Sequence, residues 1–536
     1  MPILNNDTLD DPNLHDETVD FTGGVYSAAR KNLLPENMLA GAINTRISKT
    51  GQIVTRYGHE KVGTDAAGSY RILGLAYFDT PAFEWLVRVL DNSGIGSDVP
   101  VIQKHEAATA PAWQNVSGYN PTEDLPIEIV QALNKLYFSN GTDAVHTWDG
   151  TTMSALGTTS ADFPKAKYLV WFQGKMFASG VAAAPETVFF CDALDPSNGH
   201  WDHTAKSFAV SSGDGDPVKS IAKWLGTYLA VLKRHSLHVA NVDPTIALGG
   251  SIPIQEIHAS IGCVSHRTVK RVGNDLFFLS DDGVRSMLRS EQDSGKEKIS
   301  DPISAPLRDL FDRINPAAAE TACAESDGKR YLIAIPIDSA TQPNVVAVFN
   351  TMLNNGAGAW EGYWTGLTPT VFARSFFSGL RRLNFGQADG LVLQSRDHVA
   401  LQNEAATDFE DNGADIATTI ELRSHNFKEP KNDKKGLALE LEFDASRADA
   451  VSVTAYRDEA TDGTLLTTIN SGLGGVGFPI SFPLGYPAQG INRVPQTLLD
   501  VEPFRELGLK IESTAGKLAL RSARLAGFLQ TMPIGR

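Results

Sequence analysis

One short pattern returns along this chain at intervals that leave few folds open to it. A turn residue is followed within one or two positions by a short aromatic or aliphatic strand at Asn134-Lys-Leu-Tyr-Phe138, Gly174-Lys-Met-Phe-Ala178, Gly226-Thr-Tyr-Leu-Ala230, Asn274-Asp-Leu-Phe-Phe278 and Gly328-Lys-Arg-Tyr-Leu332. Successive turn residues lie 40, 52, 48 and 54 positions apart. Blades of a β-propeller repeat at about 40 to 50 residues. A weaker copy at Arg382-Leu-Asn-Phe385 and an earlier one at Phe83-Glu-Trp-Leu-Val87 extend the series to six or seven blades between about Gly68 and Gln402. The competing arrangement is a set of unrelated meanders in one or two sandwiches, because hairpin signals do not by themselves dictate closure.

The fullest copy is Ser265 to Met287. It predicts two short strands, Thr268 to Val272 and Asp275 to Ser280, joined through Gly273-Asn274, and a second turn at Asp281-Asp282-Gly283 leading into Val284 to Leu288. Asn and Gly tolerate the positive φ of tight hairpin turns, and the flanking β-branched and aromatic residues suit a pleated, half-buried surface.

The 536 residues exceed what one core usually organises, so two or three domains are expected, although propellers run longer as one unit. With 42% hydrophobic and 21% charged residues the chain has the composition of a globular protein that buries a full core. Forty-seven basic against 63 acidic residues, a formal charge of −16, argue against a broad clamp on nucleic-acid phosphates. That balance suits a wall along which DNA slides, and it equally suits plain solubility. Cys191, Cys263 and Cys323 are too few and too scattered for a disulfide framework or a zinc pattern, which fits assembly in a reducing cytoplasm. The first twenty residues hold Asp7, Asp10, Asp11, Asp16, Glu17 and Asp20 without Lys or Arg, unlike a secretory signal, and no apolar run approaches a membrane span.

Residues 1–20 read as an acidic arm that orders against a neighbour. Pro35 then suits the first turn of a short helix with Met38, Leu39, Ala42 and Ile43 on one face, and Ile43 to Ile47 with Gln52 to Arg56 predict a hairpin about Lys49-Thr50-Gly51. Residues 1–66 are thus expected as an N-terminal arm and anchoring segment, 67–402 as the propeller and 403–536 as a β-sandwich. Within the propeller an amphipathic helix is expected from Ser304 through Leu307, Leu310, Phe311 and Ile314 to Pro316, either packed in the core or docking a partner. Residues 403–415 read as an acidic linker. The runs Ala417 to Leu422, Gly436 to Phe443, Val451 to Tyr456, Leu507 to Ile511, Leu518 to Ser522 and Ala526 to Leu529 predict a sandwich of six to eight strands, with Pro479, Pro483, Pro487 and Pro495 in a long exposed loop.

The opening Phe21, Gly23, Gly24, Leu34, Pro35, Asn44, Arg46, Arg56 and Gly58 resembles the start of bacteriophage tail proteins of the nozzle or stabilisation type. The similarity continues at Phe138-Ser-Asn-Gly-Thr-Asp143, His146-Thr-Trp-Asp-Gly150, Leu232-Lys-Arg-His-Ser-Leu-His238, Gly262-Cys-Val-Ser265, Phe278-Leu-Ser-Asp-Asp-Gly-Val-Arg285 and Glu421-Leu-Arg-Ser424. It covers most of the chain as scattered short motifs. The resemblance implies a non-enzymatic structural protein of the virion tail, assembled in the host cytoplasm. It further implies a homo-oligomeric ring of six copies lining the DNA exit channel, next to adaptor, fibre or spike proteins, with DNA passing unbound. The alternative, from a different class, is a carbohydrate-binding or glycan-hydrolysing propeller.

Chemistry-bearing motifs are sparse. Gly472-Leu-Gly-Gly-Val-Gly477 has dinucleotide-type glycines, but Pro479 and Pro483 exclude the helix that would receive a pyrophosphate. His200, Asp202 and His203, and likewise His235 and His238, are metal-type ligands, yet positions i and i+3 of a strand point to opposite faces. Asp214-Gly-Asp216 and Asp281-Asp282-Gly283 are better explained as turns than as calcium loops. Trp171, Trp201, Trp224, Trp360 and Trp364 could stack sugars, or fill the space between sheets. No catalytic, cofactor-binding or metal residue, and no cofactor, is assigned from the sequence.

Overall fold

The computed structural model describes residues 14–529 apart from 64–69, 92–98, 107–111, 158, 244–251, 295–298, 398–404, 445–449, 459, 461, 471–490 and 500–502. Seven antiparallel sheets succeed one another, and their first strands are Ile72–Thr80, Glu128–Ala132, Tyr168–Phe172, Val218–Lys223, Lys270–Val272, Cys323–Ser326 and Pro369–Ser375. Each of these strands neighbours the next around a ring, the step from the fourth to the fifth being bridged by a 3-10 turn, His266–Thr268, and the seventh meets the first. The chain is therefore a closed seven-bladed β-propeller with its first strands innermost.

The recurring pattern falls on the second strand of every blade, from Phe83–Leu90 in blade 1 to Arg382–Gln387 in blade 7. In blades 2 to 6 the turns before these strands demand a left-handed residue: φ is +59° at Asn134, +70° at Gly174, +61° at Gly226, +62° at Gly273 and +93° at Gly328. A Cβ at Gly226 would meet no atom within 4 Å, so backbone conformation alone selects glycine there. Adjacent blades interlock through large side chains, as where Trp85 of blade 1 stacks on Trp148 of blade 2 with ring centroids 5.4 Å apart.

Blade 7 takes its fourth strand from far upstream. His59–Lys61 pairs antiparallel with Val392–Ser395, placing His59 against Ser395 and Lys61 against Leu393, so strands from both ends of the propeller close the ring. Blade 5 has three strands. The expected strand through Leu288 stops at Ser286, whose Oγ accepts the Arg289 N–H at 3.1 Å and caps a helix, Met287–Asp293.

Blade 6 grows into the second module. Its outer strand Ala359–Trp364 pairs in parallel with Met38–Ile43, and the sheet continues through Thr418–Leu422, Leu507–Ser513, Ala450–Arg457 and Thr464–Asn470. A facing sheet contains Ile491–Leu499, Lys434–Asp444, Ala519–Leu529, Ile53–Thr55 and Thr45–Ile47, with Leu14–Thr18 paired to Ala519–Leu529. N-terminal strands are thus woven into the sandwich. One hydrophobic core runs from Val272 and Phe277 in blade 5, through Tyr331 and Trp360 in blade 6, to Phe21, Leu39, Ile420 and Phe443.

Four further local expectations are corrected. Met38–Ile43 is a strand, because pairing to Thr418–Leu422 and to blade 6 overrides a helical pattern built from residues with no strong preference. The helix expected over 304–314 shrinks to Ala305–Leu307 and Arg308–Phe311 with Leu307, Leu310 and Phe311 buried, since Ile314 and Asn315 are drawn into bonding with Ile337 and Pro336. The stretch read as a linker contains Glu410–Asp411, which joins the His59 strand at the edge of blade 7. Pro495 lies in the strand Ile491–Leu499, whereas Pro479, Pro483, Pro487 and the glycine run 472–477 fall outside the described residues.

Candidate functional site: a plugged axial channel

Propellers enclose an axial channel, and here one four-residue turn fills it. Ser265 to Thr268 precede the inner strand of blade 5 and reach every other blade. Arg267 donates from Nη1 to the Thr370 carbonyl of blade 7 at 3.0 Å, and from Nη2 to the Leu73 carbonyl of blade 1 and the Ile127 carbonyl at the entry to blade 2. His266 has Nδ1 2.8 Å from Ser220 Oγ in blade 4, Nε2 3.4 Å from Glu128 Oε1 in blade 2, and its ring on Tyr168 of blade 3 at 4.5 Å. The Ser265 hydroxyl lies 2.7 Å from the Ala322 carbonyl and 3.0 Å from that of Glu320, and Tyr331 Oη of blade 6 donates to the Thr268 carbonyl at 2.8 Å.

Electrostatics suit the place. Burial alone would raise the Glu128 carboxyl, but His266, Lys270 and Arg267 hold it below the usual carboxylate range. Arg267 is lowered by burial and remains a cation, because an arginine starts so high. Charge-assisted bonds of this kind contribute about 1.5–3 kcal/mol each, so the plug fastens the blades together.

The plug divides the channel. On one side a chamber of about 360 Å³ is lined by Arg71, Asp124, Lys219, Glu320 and Gln342, and on the other a chamber of about 790 Å³ by residues of all seven inner strands. Glu128, His266 and Arg267 line both. In the smaller chamber charges cancel: Arg71 pairs with Asp91 and Asp124 at 3.1 and 2.9 Å, and Lys219 with Glu320. The propeller's own bore is closed at the waist, so a polymer cannot thread it.

A second polar centre joins propeller to sandwich. Arg56, 1% exposed, pairs with Asp411, donates from Nε to Asn44 Oδ1 at 3.1 Å, and stands over the Trp364 ring, while His59 Nδ1 lies 2.9 Å from Asp411 Oδ1. Burial would raise Asp411, yet Arg56 and His59 drive it far below the carboxylate range. Within the sandwich, Asp16 of the first strand pairs with Arg423 and lies 3.2 Å from His425 Nδ1. Burial pushes His425 down, while Asp16, despite its own burial, is held low by His425 and Arg423.

The metal-type residues are separated by the fold. His200 contacts Asp192 and Asp195 at 3.0 and 3.2 Å, but His203 turns away to the Asp162 carbonyl. His235 is exposed beside Asp216, whereas His238 is buried on Ser236 Oγ. Asp214 neutralises the buried Lys233, Asp216 accepts the Arg234 and His235 N–H groups, and Asp281 and Asp282 pair with Arg234 and Arg285. Among the described residues no three His, Cys, Asp or Glu side chains gather as a metal site. Trp201, Trp224, Trp360 and Trp364 are buried, with indole N–H groups of Trp201, Trp360 and Trp364 spent on the Pro196, Ile303 and Thr45 carbonyls, and Trp171 packs half-buried between blades 2 and 3. The three thiols are buried, and burial raises Cys191 to about 11 and Cys263 and Cys323 to about 12, which leaves them unreactive.

No protein-family model and no curated protein sequence matches the chain. Solved propellers are similar in structure. The WD40 domain of Neurospora crassa Pan2 is 10% identical with a TM-score of 0.36, over 64% of this chain and 94% of that one. The WD40 propeller domain of Doa1 is 9% identical with a TM-score of 0.39, over 64% and 98%. YCF48 bound to D1 peptide is 9% identical with a TM-score of 0.35, over 62% and 93%. Likeness at this level concerns the propeller fold alone.

Proposed function

We propose that this protein is a non-enzymatic structural component of a bacteriophage tail, built as a rigid wall element that assembles into a ring, six copies being the number the resemblance implies. The observation that carries this reading is the plug. A propeller whose channel is stapled shut by Arg267 and His266 acts as a solid block, and any conduit for DNA then lies between copies. Where the tail-protein motifs fall adds support: Phe21, Gly24, Asn44, Arg56 and Gly58 gather at the seam of propeller and sandwich. A Cβ at Gly58 would lie 1.9 Å from the Glu410 carbonyl oxygen, and one at Gly24 2.6 Å from Ala359 Cβ. The net charge of −16 disfavours DNA sticking to the wall. Neighbours in this reading are adaptor, fibre or spike proteins, and the place of action is the virion tail.

Electron microscopy of the purified protein, with native mass for copy number, tests the reading. Closed rings with an axial opening wide enough for duplex DNA are expected. A chain that stays monomeric both alone and on tail particles overturns it.

A further inference from the structure

The larger chamber carries a charge opposite to that of the chain. Its wall and rim present Lys223 from blade 4, Lys270 and Arg271 from blade 5, and Arg374 and Arg381 from blade 7. Two carboxylates of the chamber wall answer them: Glu325, 3.2 Å from Lys270 Nζ and 3.6 Å from Arg374 Nε, and Glu128, whose carboxyl Lys270 helps to hold low. Asp79 and Glu84 stand beside Tyr77 on blade 1, whose ring meets Phe377 of the adjoining blade 7 at 5.1 Å, and neither pairs with these cations among the described residues. Arg271 bonds only the Gly273 carbonyl and the Asn274 side chain, and Arg381 lies over the Phe376 ring at 5.2 Å. Lys223 is exposed at the mouth and makes no hydrogen bond or ion pair among the described residues. Among the described residues Lys223, Arg271 and Arg381 thus line one mouth with no carboxylate paired to them, in a protein with 63 acidic and 47 basic residues.

The rim of the same mouth is apolar. Leu133, Leu225, Tyr228, Phe376 and Leu380, in or beside the turns that follow the inner strands, are five of the twelve large hydrophobic side chains exposed among the described residues. Single exposed apolar residues need no explanation, but a cluster around a charged cavity marks an interaction surface. The complementary partner is a peptide with carboxylates between aliphatic residues. The chain contains such a segment: residues 1–13 hold Asp7, Asp10 and Asp11 interleaved with Ile3, Leu4 and Leu9, and no Lys or Arg. They lie outside the described residues and lead into the strand Leu14–Thr18 on the sandwich. Thirteen residues in extended form reach roughly 40 Å, enough to cross to an adjoining molecule.

We infer that the basic mouth of the propeller docks residues 1–13 of a second copy of this chain, carboxylates on Lys223, Arg271 and Arg381 and aliphatic side chains on the rim. The contact is heterologous, which is what closes rings. The inference rests on the reading that copies associate, and it is independent of any place in a virion.

The test uses the full chain, the chain lacking residues 1–13, and a fluorescein-labelled synthetic peptide of residues 1–13. The truncated chain is expected to bind the peptide, with affinity falling as salt rises and falling about tenfold or more in Lys223→Glu/Arg381→Glu. Both residues face solvent, and unchanged circular dichroism checks that the double variant is folded. The truncated chain is expected to lose the native mass of the full-length assembly. Peptide binding that is absent, or indifferent to the double variant, overturns the inference, as does tighter binding of a single-stranded DNA oligonucleotide of equal charge. Rings that persist in the truncated chain overturn it while leaving the ring reading intact. A full-length monomer whose truncated form binds the peptide overturns the second-copy assignment and leaves the ring reading to the tail particles.

Discussion

The axial plug and the propeller–sandwich seam are both buried charged networks, yet they are satisfied in different ways. Arg267 spends its guanidinium on the main-chain carbonyls of Thr370, Leu73 and Ile127, which cannot titrate. Arg56 at the seam, and Arg423 within the sandwich, rely on the carboxylates of Asp411 and Asp16, and histidines His59 and His425 stand beside them. The plug therefore has at its centre a cation whose acceptors cannot titrate, with the single pair of His266 and Glu128 beside it, whereas the other two networks depend on carboxylates throughout.

The sharpest way to break this comparison is at the plug. Arg267→Ala leaves three carbonyls on three blades without their donor, and a loss of roughly 3–5 kcal/mol is expected, read as a lowered denaturant midpoint. Arg267→Lys should recover part of it, since one ammonium cannot span all three carbonyls. If Arg267→Ala is neutral, the plug does not fasten the blades.

At the seam Asp411→Ala strands the buried Arg56, and roughly 3 kcal/mol should be lost. The loss should appear first as separation of the sandwich transition from that of the propeller in calorimetry. A single unchanged transition would count against a seam role.

Acid distinguishes these networks further. The carboxyls of Asp16 and Asp411 are depressed in the folded chain, so their contribution is present above the unfolded value near 4 and is lost as pH falls below it. His425 is also depressed, so the unfolded chain binds protons first, and its penalty begins as pH falls through about 6.5. Hydrogen exchange of Leu14–Thr18 should accelerate between pH 7 and 5 while amides at Ser265 to Thr268 keep their protection. His425→Gln should flatten that response. Equal acceleration at both places would erase the distinction.

The smallest effect separates two glycines. Gly226→Ala meets open space and should cost only about 1 kcal/mol of left-handed strain. Gly58→Ala, pressed on the Glu410 carbonyl, should cost clearly more. Thermal midpoints of the two variants settle the order.

The propeller was legible because its signal is local. Blades 2 to 6 each repeat a left-handed turn and a short apolar strand, and a window of about ten residues contains both, as at Gly174-Lys-Met-Phe-Ala178. The plug lay inside Ser265 to Met287, the fullest copy of the repeat, but nothing local marks Arg267 as its centre, since its partners lie 103, 194 and 140 residues away. The same limit hid the seam, where His59 and Asp411 are 352 residues apart, and the strand Met38–Ile43, whose conformation is imposed by its neighbours. The helix Met287–Asp293 did carry a signal: Ser286 is a good N-cap, and Asp275 reaches it from across the hairpin. The basic mouth was invisible because net charge says nothing of where charges gather.

Closure of blade 7 by His59–Lys61 imposes a timetable on biogenesis. The ribosome makes that strand first, and its partner Val392–Ser395 emerges more than 300 residues later. The strand Leu14–Thr18 waits longer still, for Ala519–Leu529. At 5–20 residues per second this second delay lasts roughly 25 to 100 seconds. During that interval the nascent chain carries unsatisfied strand edges, which favour pairing with other nascent chains on a polysome. High contact order makes the last steps slow as well. Yield in the cell should therefore depend on translation speed and chaperone supply more than on the stability of the finished protein.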